Sequence, residues 1–481
     1  MAYFKAHRRP PGPSKMQPVE HTATHSKCIV IGAGHAGLSV ARGLRARGVE
    51  PILLEKNEAI GDAWRHRYER LHLHHVTGAM HLPGVKYPDH VPRYLSRLDL
   101  ADYLGAYAAL HSLDVRLGHR VQSLKASDDG WQLDVLTPGS EVPVQFSAEQ
   151  IVLAAGATGI TPNIPNIPGS EHWGGEILHS KEYFNAEPFV GKKVLVVGSG
   201  NSAIEILCDL HDNGAHPSVL MRGPNSWVTR EGFANYHRLL SIGGPILKYV
   251  PFSWLLAPLV MRALDFYLMF DVKRRYGDLA ALDIETESTP PLLRMAKTRG
   301  AKAPSYIDGT WGDVGVSIVD LVREGQVPIH KAEIDRLESD LEADLEGEGK
   351  TVVFVDGSSA EFDVIVLCTG FEPVLSHYAT FVDPSILKSI QQNGFEPWTE
   401  VAGHSGLWPA LGGIVTSRYA LQTLAARIVA KLKGESAPAR VLNPIVSFAL
   451  GGPDPGLIQI PRRTIAINLL AIAALVYAAL S

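Results

Sequence analysis

At 481 residues the chain is long enough for two or three domains, each with its own core. A net charge of −5 offers no basic surface for nucleic acid. Three cysteines, Cys28, Cys208 and Cys368, stand far apart without a Cys-x-x-Cys, which excludes a redox dithiol of the usual spacing and fits a reducing compartment.

Residues 1–26 are polar, rich in His and Pro and without an apolar stretch, so they read as a flexible leader rather than a secretory signal. Lys27-Cys28-Ile29-Val30-Ile31 is an apolar strand, and Gly32-Ala33-Gly34-His35-Ala36-Gly37 then opens a helix. Gly32, Gly34 and Gly37 permit a tight turn and close backbone approach, and the helix amino terminus presents unpaired N–H groups to a pyrophosphate. Roughly 23 residues beyond Gly32 the next strand ends at Glu55, followed by Lys56. A carboxylate there accepts from ribose hydroxyls and repels a 2′-phosphate; Lys56 beside it joins the nucleotide contacts.

A strand at 115–117, a meander at 121–125 and 131–136, and a strand over 150–156 complete this unit. Pro162, Pro165 and Pro168 mark an extended connection. The scheme then repeats. Lys193-Val194-Leu195-Val196-Val197 leads into Gly198-Ser199-Gly200-Asn201-Ser202-Ala203, and at about the same offset the next strand ends at Arg222. A guanidinium suits a 2′-phosphate by bidentate bonding. The first loop is therefore expected to hold the ADP part of FAD and the second NADPH.

Residues 232–310 are too long for a plain connection and read as helical cover over the active site or a membrane-facing lip, with 249–261 as a buried or interfacial helix. Residues 333–350 carry dense surface charge. Strands at 328–330 and 351–355 precede one over 362–370, whose Cys368-Thr369-Gly370 end matches Ala154-Ala155-Gly156. Both ends put small residues where a strand meets a cofactor or the chain changes domain. A strand over 406–411 and a helix over 416–433 follow, the helix amino terminus facing the flavin. After Arg462-Arg463, the apolar run 464–480 reads as a membrane anchor at the cytosolic face or as a packed terminal helix, about 17 residues being the lower bound for a span. Without that anchor the protein is cytoplasmic.

The fold class is α/β, with two doubly wound Rossmann-like domains, the NADPH domain inserted in a discontinuous FAD domain. The expected limits are 1–26 for the leader, 27–188 and 371–440 for the FAD domain, 189–370 for the NADPH domain and 441–481 for the tail. His72, His74, His75 and His81 lack acidic or cysteine partners, and strand alternation splits His74 from His75, so no metal is expected.

Over about 27–433 the chain resembles the class B flavoprotein monooxygenases, and within them the YUCCA-like branch of the flavin-containing monooxygenases. The segment from Trp173 through His179 to Tyr183 is similar to the family fingerprint, with Trp173 for the usual Phe. Tyr183 stands where Baeyer–Villiger relatives carry Trp. Gly61-Asp62-Ala63-Trp64-Arg65 resembles the element beside the isoalloxazine, with Asp62 departing from a second Gly. Tyr68-Glu69-Arg70-Leu71-His72-Leu73-His74 is close to the YUCCA-like pattern. His74 falls where many members place an Asn near the flavin, and that role is not carried over to it.

The resemblance implies that NADPH reduces FAD and that O₂ is activated as a flavin C4a-hydroperoxide. A small lipophilic substrate then receives one oxygen atom, by oxidative decarboxylation of an aryl-pyruvate or by heteroatom oxygenation. Baeyer–Villiger oxygenation, a flavin-dependent NADPH reductase and a silent nucleotide-binding subunit are the alternatives. Since the cofactors carry the chemistry, no lone acid–base residue is expected. His179 and Asn201 are candidates beside NADPH, His179 equally a structural residue. Ser202 completes the second loop, Trp64 and Arg65 are expected flavin neighbours, and Thr369 and Gly370 belong to the cofactor-facing strand end. Arg230 reads as a surface charge, with a second phosphate contact as the alternative.

Overall fold

In the computed structural model the described residues are 24–156, 160–235, 253–282, 284–286, 305–308, 317–339, 350–393 and 398–436. The helices that shape the site are α1 (His35–Arg45), α2 (Arg97–Leu110), α3 (Asn201–Asp212), α4 (Ser253–Tyr276) and α5 (Ile414–Leu432).

The first sheet begins with β1 (Thr24–Ile31), which lies parallel between β2 (Ile52–Leu54) and β6 (Val144–Leu153). β3 (Asp114–Arg116) extends it beyond β2. Side chains of β1 divide by strand alternation. Cys28 and Val30 enter the core under α1 with Leu38, Ala41 and Leu44. Ile29 and Ile31 enter a second core with Leu54, Ile151 and Leu153. Burial on both faces explains why this strand is continuously apolar rather than alternating. β4 (Arg120–Ser127) and β5 (Gly130–Leu136) add the antiparallel meander to the lower half of β6.

The upper half of β6 pairs in parallel with β17 (Leu407–Pro409), so chain from beyond residue 400 completes a sheet begun at residue 24. α5 then packs on α1, burying Leu421, Leu424 and Ile428 beside Leu38 and Leu44. Each fully buried Leu or Ile contributes about 1.5–3 kcal/mol. The first domain is therefore discontinuous, as expected, and α5 starts two residues earlier than the sequence suggested.

Between these halves lies a five-stranded parallel sheet. Its order is β12 (Ile329–His330), β9 (His216–Leu220), β8 (Lys193–Val197), β16 (Val364–Leu367) and β7 (Glu176–His179). α3 covers it with Ile204, Leu207 and Cys208 against Val194, Val196 and Val366. A small antiparallel sheet, β13 (Ile334–Glu338), β14 (Thr351–Phe354) and β15 (Ser359–Glu361), lies to one side. β10 (Trp227–Val228) pairs with β11 (Ser305–Tyr306).

Two features show how the intervening chain is used. β7 belongs to the second sheet although it lies within 27–188, because Ile177 and Leu178 register against Ile365 and Val366. α4 supplies helical cover within 232–310: it buries Leu264, Leu268 and Val272 and leaves Phe266 and Phe270 exposed. Among the described residues no helix is long and apolar enough to cross a membrane. The anchor expected at 464–480 lies outside the described residues, as do residues 1–23 of the leader.

A Cβ on Gly43 of α1 would lie 2.7 Å from the Cβ of Ala425 on α5. Gly43→Leu is expected to separate the two helices and lower stability by about 1–3 kcal/mol, measured by chemical denaturation. An unchanged midpoint would show that this helix contact is slack.

Candidate active site

Both loops sit at the carboxyl ends of parallel strands, where open α/β sheets bind ligands. In the first, Gly32 has φ +103°, and a Cβ there would lie 2.4 Å from the Ala154 carbonyl oxygen. A Cβ on Gly37 would lie 2.0 Å from the Gly32 oxygen, so helix and strand touch backbone to backbone. Gly34 faces open space. It caps α1 without a side-chain bond, and the first turn holds no acidic residue. The amino terminus is thus free for an anion.

Glu55 closes the loop from β2. One carboxylate oxygen accepts from Ala33 N–H at 2.8 Å and the other from Asn57 N–H at 3.0 Å. Each oxygen keeps a lone pair for a ribose hydroxyl. Lys56 beside it is exposed, and partial desolvation followed by Arg120 lowers its pKa. His35 Nε2 donates to the Gly412 carbonyl at 3.0 Å, joining the loop to the turn before α5. Burial lowers its pKa and keeps it neutral.

The element at 61–65 is braced from within. Gly61 has φ +91°, and a Cβ would meet α2 at 2.7 Å from Ala101 Cα. Asp62 has a local use that explains its presence: its carboxylate accepts from Ala59 N–H at 2.9 Å and pairs with Arg65 at 3.5 Å. Arg65 also donates to the Ile60 carbonyl at 2.6 Å and to Asp102 at 2.8 Å. Its donors thus go to protein partners and make it a brace. Trp64 is partly buried against the first core.

The second loop repeats the geometry. Gly198 has φ +132°, and a Cβ would lie 2.7 Å from the Cys368 carbonyl oxygen. Gly200 faces open space and caps α3 with no side-chain bond and no acid in the first turn. Asn201 turns aside, its Oδ1 accepting from Tyr306 N–H at 2.9 Å, and so anchors β11. Ser202 hydrogen-bonds Tyr68. Arg222, well exposed beyond β9, pairs with Glu333 at 3.3 Å. Asn225 was not singled out from sequence, yet it donates to the Ser199 carbonyl at 2.6 Å and supports the loop from behind.

His179 is buried at the end of β7. Lys181 N–H donates to its Nδ1 at 3.1 Å, so the proton sits on Nε2, which donates to the Gly370 carbonyl at 3.0 Å. Burial lowers its pKa, in keeping with the neutral ring. The residue is a clasp between β7 and the end of β16. Thr369 donates to the Asn163 carbonyl from the same turn. Within the fingerprint, a Cβ on Gly175 would lie 2.4 Å from the Trp173 ring, so the glycine makes room for the indole. Tyr183 donates to Asp209 of α3 at 2.7 Å.

Between the two sheets lies a buried polar cluster that sequence reasoning missed. Tyr68 donates to Glu205 of α3, and His74 Nε2 lies 3.5 Å from the same carboxylate. His74 stacks on Tyr306 at 4.4 Å, and burial followed by Arg230 pushes its pKa down to about 3. Arg230 is only 5% exposed, which overturns its reading as a surface charge. The spacing of Glu205 five residues past Gly200 was the available signal, since it puts an acid on the buried face of a nucleotide-binding helix. No group of His, Cys, Asp and Glu among the described residues could hold a metal. His72 Nδ1 turns to the Arg70 carbonyl at 2.8 Å while His74 faces Glu205, so the histidines diverge.

Two uncapped, acid-free helix amino termini, each behind a glycine whose missing side chain leaves open space, fit two pyrophosphates. Glu55 and Arg222 fit an unphosphorylated and a 2′-phosphorylated ribose. None of the three cysteines is in a disulfide, and burial pushes each thiol up to about 12.

Residues 29–235 match the family model described as pyridine nucleotide-disulphide oxidoreductase. The probable indole-3-pyruvate monooxygenase YUCCA10 of Arabidopsis thaliana is 31% identical over 350 residues, 72% of this chain and 81% of that protein. A flavin-containing monooxygenase from Stenotrophomonas maltophilia superposes with a TM-score of 0.58 at 20% identity, covering 85% of this chain and 99% of that one. Cyclohexanone monooxygenase bound to epsilon-caprolactone, in its Loose conformation, gives a TM-score of 0.64 at 16% identity, covering 94% and 98%.

Gly198→Ala is expected to weaken the second nucleotide at least about tenfold, because the new methyl and the left-handed backbone both disturb the loop. The first nucleotide stays bound. Equilibrium binding of each would check this, and loss of the first alone would reverse the assignment of the loops.

Proposed function

The chain belongs to the class B flavoprotein monooxygenases, in the flavin-containing monooxygenase family, and from that premise we propose that its substrate is an aromatic 2-oxo acid, which it converts to the acid one carbon shorter. It is an FAD- and NADPH-dependent monooxygenase acting on a small molecule with O₂. NADPH supplies two electrons. One oxygen atom enters the new carboxylate, the other leaves as water, and the old carboxylate departs as CO₂. The kinship with proteins named indole-3-pyruvate monooxygenases supports this substrate class.

The observation that carries the reading is a pair of uncapped helix amino termini at the carboxyl ends of two parallel sheets, with neither a disulfide nor, among the described residues, an acid–base dyad beside them. Bound FAD supplies the redox and oxygen chemistry. The chain's residues bind, orient and exclude water. Gly32, Gly34 and Gly37 admit the FAD pyrophosphate to α1, Glu55 and Lys56 address its adenosine end, and Trp64 walls the ring end. Gly198, Gly200 and Ser202 admit the NADPH pyrophosphate to α3. Arg222 exchanges its exposed pairing with Glu333 for the 2′-phosphate, a small loss because exposed ion pairs are worth little. Asn201 and His179 act through the positions they fix.

Incubation of the FAD-loaded protein with NADPH, isotopically labelled O₂ and phenylpyruvate tests the reading. One labelled oxygen in phenylacetate, with CO₂ released in equal amount, is expected. Ester formation would favour Baeyer–Villiger oxygenation, and NADPH consumption that yields only hydrogen peroxide would contradict oxygen transfer to this substrate class.

A further inference from the structure

The segment Tyr68–His74 belongs to the first half of the chain, yet its polar side chains are spent on one face of α3 in the second half. Tyr68 donates to Glu205, and His74 Nε2 lies 3.5 Å from the same carboxylate. Arg70 is only 3% exposed and places Nη1 2.7 Å from Asp212 and 3.7 Å from Asp209. Tyr183 donates to the other oxygen of Asp209 at 2.7 Å. Glu205, Asp209 and Asp212 recur at intervals of four and then three residues, so all three acids share one face of the helix.

We propose that Arg70 is a positioning residue for flavin reduction: its ion pairs with Asp209 and Asp212 fix α3, and the nucleotide at its amino terminus, against the flavin side of the molecule. The ties run the length of the helix. From Glu205 to Asp212 they span about 10 Å, which fixes the helix in direction as well as in place. The other end of the segment is joined to the wall at 61–65. Arg67 N–H donates to the Trp64 carbonyl at 3.1 Å, and Arg97 of α2 donates to the Arg65 carbonyl. A short, braced stretch of backbone therefore connects Trp64 to the carboxylates of α3.

A buried ion pair adds little net stability, because desolvation offsets the attraction, and its best-attested use is to select one register among several. Here the register is that of α3 beside the flavin wall. Loss of Arg70 leaves both glycine loops as they are, so each nucleotide still binds. What is lost is their mutual alignment, on which transfer of a hydride from NADPH to FAD depends. The proposal holds whatever molecule is oxygenated, since this step precedes oxygen transfer.

The test uses the full-length, FAD-loaded protein without oxygen, mixed with varied NADPH in stopped flow, with NADP⁺ affinity measured separately at equilibrium. Arg70→Met is expected to lower the limiting rate of flavin reduction about 10- to 100-fold, while the NADP⁺ dissociation constant and the FAD content change by less than about threefold. The long-wavelength charge-transfer absorbance of reduced flavin with NADP⁺ should weaken in parallel, because it requires the two rings in contact. Arg70→Lys, which keeps the charge without the fork, should fall between. An unchanged limiting rate would overturn the proposal, and a rise in the NADP⁺ dissociation constant alone would make Arg70 a nucleotide-binding residue instead. If Arg70→Met fails to hold FAD, Asp212→Asn decides, since Asp212 is partly exposed and its replacement leaves Asp209 beside Arg70. A limiting rate lowered at least about threefold at unchanged NADP⁺ affinity supports the proposal, and an unchanged rate refutes it. Combining Arg70→Lys with Asp212→Asn should cost less than the product of the two single effects, and full additivity would show that the two residues do not act as a pair.

Discussion

The carbonyl oxygen of Gly370 accepts two hydrogen bonds, from Asn163 N–H and from His179 Nε2, each at 3.0 Å. Around it the two chain crossings between the sheets lie side by side, with Glu372 N–H donating to the Thr161 carbonyl at 2.9 Å and Pro162 bridging Phe371. Gly370 takes φ +83°, a conformation natural to glycine. The orientation of one nucleotide loop against the other passes through this point. If it shifted, the redox centres held by the loops would lose the alignment that electron transfer between them requires.

The seam above this hinge is unusual in its charge. Tyr68, Glu205, His74 and Arg230 are brought together from both halves, with Asp308 close by, in a region where unpaired charge is expensive. Burial pushes the Asp308 carboxyl up to about 6, and burial followed by Arg230 pushes His74 down to about 3.

Much of the fold was legible because its signals are local. Each glycine loop, its preceding apolar strand and the residue at the next strand end lie within about 25 residues, and secondary structure carries that pattern directly. β17 and α5 were legible as local elements in the same way, whereas their place beside β6 and α1 in the first domain is a long-range pairing. What was not legible depends on partners distant in sequence. Arg65 reads as a flavin neighbour by motif, and its hydrogen bond to Asp102 of α2, 37 residues away, is not a local signal. His179 and Gly370 are 191 residues apart, and only the parallel pairing of β7 with β16 makes one the other's donor. Arg230 carries the composition of a surface residue, and nothing near it in sequence discloses that it is buried against the Tyr94 ring.

The central claim is that the two loops hold FAD and NADPH so that electrons cross the seam between them. Anaerobic mixing of the FAD-loaded protein with NADPH or NADH, followed by flavin absorbance, tests it most directly. The account predicts rapid bleaching by NADPH and an apparent affinity for NADH weaker by at least about tenfold, since only NADPH carries the phosphate that Arg222 addresses. A flavin that stays oxidised with NADPH, or that responds equally to both, would contradict it.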